Sequence, residues 1–145
     1  MTRCRVTALL FSLTLAACSG EEAGLPPPYL RIDVPEARLR SAQARSRGRE
    51  LFLKHCALCH GEGADGHGAR REAFNRPPAD FTDPSWQRRK SPRRVYFAIR
   101  EGVRGTAMPS WRSLDEAEAW DLVAYLRSLA EAPAGGGPGR LSPSP

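Results

Sequence analysis

The stretch His55-Cys56-Ala57-Leu58-Cys59-His60 constrains this chain more than any other, because it gathers two thiols and two imidazoles within six positions. Three chemistries use such a cluster: a structural zinc ion, dithiol exchange, and covalent attachment of haem. Structural zinc takes four ligands from paired motifs, and no second closely spaced cysteine pair exists here. His60 and His67 could complete a Cys2His2 set, but their spacing does not match the separated pairs of zinc fingers. A thioredoxin-like pair belongs beside a βαβ pattern, and none flanks Cys56 and Cys59. Both readings leave the histidine that directly follows Cys59 unexplained.

C-x-x-C-H, by contrast, uses every residue. The two thiols add across the porphyrin vinyl groups to give thioethers, and the next histidine ligates iron from the same face. Cys56 and Cys59 are therefore the expected attachment points of one haem c, and His60 its first axial ligand. His55 and His67 are read as surface residues.

The amino terminus reads as a leader. Arg3 and Arg5 precede the apolar run Val6–Leu15, which is too short to cross a bilayer and matches a signal-peptide core. It ends in Leu15-Ala16-Ala17-Cys18, which resembles the lipobox of bacterial lipoproteins, with residues 1–17 removed and Cys18 lipidated. Ordinary secretory cleavage nearby is the alternative. Either route exports the chain, and under the lipobox reading the haem domain lies on the periplasmic or extracytoplasmic side of a bacterial membrane.

Met1 leaves with the leader, so Met108 is the only thioether of the mature chain. It lies 48 residues after His60, in the Gly-bounded loop "GVRGTAMPSW", where glycines let backbone approach a flat ligand. That makes Met108 the expected second axial ligand. A soft thioether favours ferrous iron and raises the potential, and two filled axial positions suit electron transfer.

The helical signals are local. "SAQARSRGRELFLKHC" from Ser41 is rich in helix formers, and Gly48 within it costs about 1 kcal/mol relative to Ala, so a close helix approach should offset it. Ser91-Pro92 reads as N-cap and first helical position, with Val95, Tyr96 and Ile99 as an apolar face and Gly102 as the stop. Ser113-Leu114-Asp115-Glu116 has a capping-box pattern, followed by Ala119, Leu122, Val123, Leu126 and Leu129 at helical spacing. No segment alternates like a strand. Gly61–Trp86 reads as a long loop, tolerable because a covalent haem supplies the apolar surface that a small domain lacks.

These motifs, in this order over about Ser41 to Leu129, resemble those of a class I monohaem cytochrome c. The family's first helix carries a Gly and, four residues on, an aromatic, here Gly48 and Phe52. Its last helix carries an aliphatic-x-x-Tyr-Leu pattern, here Leu122 to Leu126. The resemblance implies an all-α cytochrome c fold in which the N- and C-terminal helices cross and long loops wrap the haem. It also implies a proline carbonyl, from Pro77 or Pro78, that orients the His60 imidazole. Similar lipoprotein cytochromes are subunits of the quinol-oxidising assembly called alternative complex III. The implied role is a one-electron carrier, not an enzyme, acting as a tethered shuttle or a fixed subunit. The competing role is a peroxidase-like haem enzyme or sensor in which Met108 detaches.

The expected organisation is a leader at 1–17, a lipidated flexible tether at 18–40, a cytochrome domain at 41–131 and a disordered tail at 132–145. The tether would reach ~70 Å at roughly 3.3 Å per residue. The chain carries 22 Lys+Arg against 16 Asp+Glu, and loss of Arg3 and Arg5 leaves 20 basic residues. Many flank the haem loops, among them Arg70, Arg76, Arg88, Arg89, Arg93, Arg100, Arg104 and Arg112, which suits an acidic redox partner in the membrane. Nucleic acid is not an expected partner of an exported haem protein.

Overall fold

In the computed structural model, which describes residue 22 and residues 24–130, the chain forms seven α-helices and a 3-10 turn at Arg71–Ala73. The helices are α1 (Pro27–Leu30), α2 (Glu36–Arg40), α3 (Ala42–His55), α4 (Ala57–His60), α5 (Pro84–Arg89), α6 (Pro92–Glu101) and α7 (Glu116–Ser128). There is no strand among the described residues, so the fold is all-α as expected. The proposed leader, Cys18 and the tail from 132 lie outside the described residues.

The long helix α3 starts where Ser41 Oγ accepts the Ala44 N–H at 3.3 Å, and it runs into the C-x-x-C-H motif at Cys56. Gly48 sits at its crossing with α7. A Cβ there would overlap the Asp121 carbonyl outright and stand 2.9 Å from Tyr125 Cβ. The glycine thus gives up helix propensity to let two backbones touch, and the contact brings the Phe52 and Tyr125 rings to 5.4 Å.

Helix α7 is buried on all sides from Ala119 to Leu126, because α3 and α2 cover one face and α6 the other. Trp120 stacks on Tyr96 of α6 at 4.4 Å, a second apolar face beyond the expected stripe. The capping box is two residues later than the sequence pattern suggested. Asp115 accepts from Glu118 N–H at 2.7 Å, and Glu118 accepts from Asp115 N–H at 2.9 Å. Leu114 is buried and held in a turn by its N–H to the Trp111 carbonyl, which delays the helix start.

The segment expected as a flexible tether is folded from residue 24 onward. Leu25 and Leu39 are buried, the Tyr29 ring meets Phe97 edge-on at 4.7 Å, and its hydroxyl donates to Glu101. Arg93 donates to the Ile32 carbonyl at 2.8 Å and to Glu22 at 3.0 Å. Pro26, Pro27, Pro28 and Pro35 interrupt the backbone here, so the apolar residues form no continuous amphipathic helix that the sequence could signal. They pack as short helices and turns against α6 and α7.

The sequence also concealed the role of Asp121, a carboxylate on the buried face of α7. It accepts from Arg38 at 2.6 Å and from Arg47 at 2.7 Å, tying α2 and α3 to α7. Burial works to raise its pKa, but the two guanidinium hydrogen bonds and charges outweigh that and hold the carboxyl below its ordinary value. A depressed folded-state pKa gives stability that is present above about pH 4 and is lost as pH falls through the lower folded value. Asp121→Asn is expected to destabilise the domain by about 1–3 kcal/mol at neutral pH. It should also shrink the loss of stability between neutral and acid pH, measured by denaturant titrations at each pH; an unchanged acid limb would remove Asp121 from this role.

Candidate haem site

Cys56 closes α3 and opens the four-residue helix α4, so the C-x-x-C-H motif is a separate helical turn that follows the long helix. Cys56 and Cys59 form no disulfide. Burial, and then the neighbouring Cys59 thiol, push Cys56 up to about 12, which keeps its proton on sulfur. Gly61, at φ +80°, turns the chain back over the motif. The loop is pinned there by Gly66 N–H to His60 O at 2.8 Å and by Arg70 N–H to Leu58 O at 3.1 Å. Gly68 passes so close to the Cys59 carbonyl that a Cβ would overlap it.

His60 Nδ1 lies 3.2 Å from the Ala79 carbonyl, which can only accept, so Nδ1 carries the proton and Nε2 keeps its lone pair. Burial lowers the His60 pKa and the hydrogen bond only partly opposes it, so the ring is held neutral as a ligand must be. This corrects the expectation that Pro77 or Pro78 supplies the carbonyl. The Pro78 carbonyl instead lies over Gly66, 2.9 Å from where a Cβ would stand, which places the Ala79 carbonyl at the imidazole.

Met108 sits in a loop braced by α6. Gly102, at φ +73°, ends α6, and the next turn is tied by Val103 N–H to Met108 O at 3.2 Å and Met108 N–H to Thr106 Oγ1 at 3.2 Å. Beyond it, Trp111 N–H donates to Ile99 O at 2.9 Å and Ser110 Oγ to Arg100 O at 2.8 Å. The result is one apolar cleft lined together by Cys56, His60 and Met108. Phe52, Phe81, Ile99, Trp111, Leu122 and Leu126 complete its walls.

Phe81 and Trp111 were not singled out in the sequence as site residues. Phe81 packs 4.7 Å from the His60 ring, and Trp111 packs 5.2 Å from His55. Trp111 follows Met108 by three residues, a spacing that could have marked it. Phe81 had no local signal. Nor was α5 expected inside the long loop, although Asp83-Pro84 repeats the cap-then-proline signature of Ser91-Pro92. Asp83 accepts from Ser85 N–H at 2.8 Å and Trp86 N–H at 3.2 Å. His67 is exposed, as expected, with Nδ1 at 2.9 Å from the Asp65 carbonyl.

The donor set fits haem c. Two unbridged cysteines stand one helical turn apart, a neutral imidazole has one free nitrogen, and a thioether lines the same apolar cleft as that imidazole. No group of three or more His, Cys, Asp or Glu residues among the described residues is arranged to hold a bare metal ion.

Crossing helices, an attachment turn and a thioether loop that closes the same cleft define a cytochrome c domain. The chain belongs to the family described as cytochrome c oxidase, cbb3-type, subunit III, whose sequence profile matches residues 43–126. It is 31% identical over 93 residues to the cbb3-type cytochrome c oxidase subunit CcoP of Azospirillum brasilense, a match covering 63% of this chain and 30% of that protein. The chain thus spans under a third of that relative's length. A chain in the reducing HAO-like protein complex of Kuenenia stuttgartiensis shares the fold, with a TM-score of 0.53 and 24% identity over 68% of this chain and 45% of the other. The domain's cofactor is covalently attached haem c with its iron.

Proposed function

We propose that this protein is a one-electron carrier of a membrane-bound respiratory chain, with haem c joined to Cys56 and Cys59 and ligated by His60 and Met108. The observation that carries the proposal is the shared cleft: His60 from α4 and Met108 from the loop after α6 line one apolar cavity beside Cys56. Bound haem c supplies a one-electron ferric/ferrous couple. The chain's own residues fix the imidazole tautomer through Ala79, exclude water with Phe52, Phe81, Ile99, Leu122 and Leu126, and hold the thioether on a braced loop.

Similarity to subunits of cytochrome c oxidase supports a stable place in a larger complex; membrane-bound redox proteins as donor and acceptor, and a quinol-oxidising or oxidase assembly as the setting, belong to this proposal. Lipidation at Cys18 and an exported location belong to the same proposal, supported by the lipobox pattern. Of the basic residues near the haem loops, Arg93, Arg100 and Arg112 are engaged with Glu22, the Leu114 carbonyl and Glu101. Arg89 is exposed but lies 3.9 Å from the Asp83 carboxylate, while Arg70, Arg76, Arg88 and Arg104 stay exposed and would make docking to an acidic partner salt-dependent.

The test is attachment. The purified protein should retain its red colour through acid-acetone extraction and stain for haem on a denaturing gel. Cys56→Ala/Cys59→Ala, co-expressed with the same haem-attachment machinery, should lose the stain completely. Haem that extracts from the unaltered protein would overturn the proposal. Carbon monoxide binding by the native reduced protein would favour the enzyme or sensor reading.

A further inference from the structure

The first described residue is held to the domain, and this changes the distance available to the anchor. Glu22 is ion-paired to Arg93 at 3.0 Å, and its carbonyl accepts the Leu25 N–H at 3.1 Å. Arg93 also grips the Ile32 carbonyl, Tyr29 packs on Phe97 and bonds Glu101, and Arg38 meets the buried Asp121. Residues 24–40 are thus fastened at both ends of α6 and again on α7. Only four residue steps separate Glu22 from Cys18, a maximal span of ~14 Å at 3.6 Å per residue, against the ~70 Å of a free tether.

We propose that residues 24–40 are a strap that holds the haem domain against the lipid surface in which Cys18 is anchored, making it a membrane-fixed relay rather than a free shuttle. The proposal rests on the lipidation of Cys18 proposed above. With a domain of about 13 Å radius of gyration, a span of ~14 Å keeps the junction of Glu22 and Arg93 at the headgroup layer. Electron delivery would then be set by the position of the partner in the membrane plane.

The experiment reconstitutes the full-length, membrane-purified holoprotein into phosphatidylcholine/phosphatidylglycerol vesicles that carry a headgroup fluorophore, and reads energy transfer to the haem. A second form carries a 20-residue Gly/Ser insertion between Ser19 and Gly20, which adds a root-mean-square reach of ~25 Å. Transfer is expected to fall at least twofold on insertion; equal transfer in both forms overturns the strap. Amide exchange at Tyr29 and Leu39, whose N–H groups bond the Pro26 and Pro35 carbonyls, is expected to be slowed at least tenfold relative to a free peptide. Free-peptide rates there overturn the strap whatever the lipid does. Mass measurement of the N-terminal peptide separates the two readings, since an unmodified Cys18 defeats the lipid reading, and this inference with it, while leaving the packing of 24–40 to the exchange data.

Discussion

Met108→Ala is expected to abolish the thioether–iron charge-transfer absorption of the oxidised protein and to lower its reduction potential, while the haem stays covalently bound. The reasons are separable. In the proposed site, attachment depends on Cys56 and Cys59, which belong to a different segment from the 102–111 loop, so loss of the Met108 thioether leaves the thioethers to porphyrin intact. The potential falls because a soft ligand that favours ferrous iron is replaced by water or nothing. The loop itself should survive, since its bracing comes from backbone groups of Val103, Thr106 and Trp111 rather than from the Met108 side chain. The reduced variant should also bind carbon monoxide, which the native reduced protein should not. Optical spectra and a redox titration of the two forms measure this; an unchanged charge-transfer band in the variant would show that another residue ligates the iron.

Gly48→Ala tests the helix crossing with an effect opposite in sign to the one local propensity gives. In an isolated helix the change would stabilise by about 1 kcal/mol. Here the new methyl would overlap the Asp121 carbonyl, a backbone atom of a helix buried on all sides, and would crowd Tyr125. Overpacking of this kind costs about 1–3 kcal/mol and more when backbone must move, so the crossing has to open. At about 4–8 °C per kcal/mol for a domain of this size, the melting temperature of the holoprotein should drop by roughly 10 °C or more. Gly48→Leu should fail to fold. A melting temperature at or above that of the unaltered protein in Gly48→Ala would mean that the two helices do not meet at this glycine.

Both predictions concern residues that the sequence marked and whose partners it left unnamed. Gly48 announced a close approach but not that Asp121 and Tyr125 lay across it. Met108 was found by elimination, whereas the network that aims it runs from Gly102 to Ser110 and back into α6. His60 was legible from its neighbours in the motif, yet the carbonyl that orients it is Ala79, because the direction of successive carbonyls depends on how the loop crosses Gly66. The start of α7 shifted by two residues for a comparable reason, the burial of Leu114.

By itself, the sequence determined the all-α class, the cofactor and the order of the principal helices. Each of these is written in residues that are close together, where covalent spacing, capping and helical period act directly. The tertiary structure alone decided what faces those residues: the Asp121 pairing with Arg38 and Arg47, the Phe81 and Trp111 walls, and the docking of residues 24–40. Those contacts join segments tens of residues apart through irregular backbone and isolated apolar side chains. Burial against a distant surface leaves no local period to read, so only the folded chain reveals that the supposed tether is part of the domain.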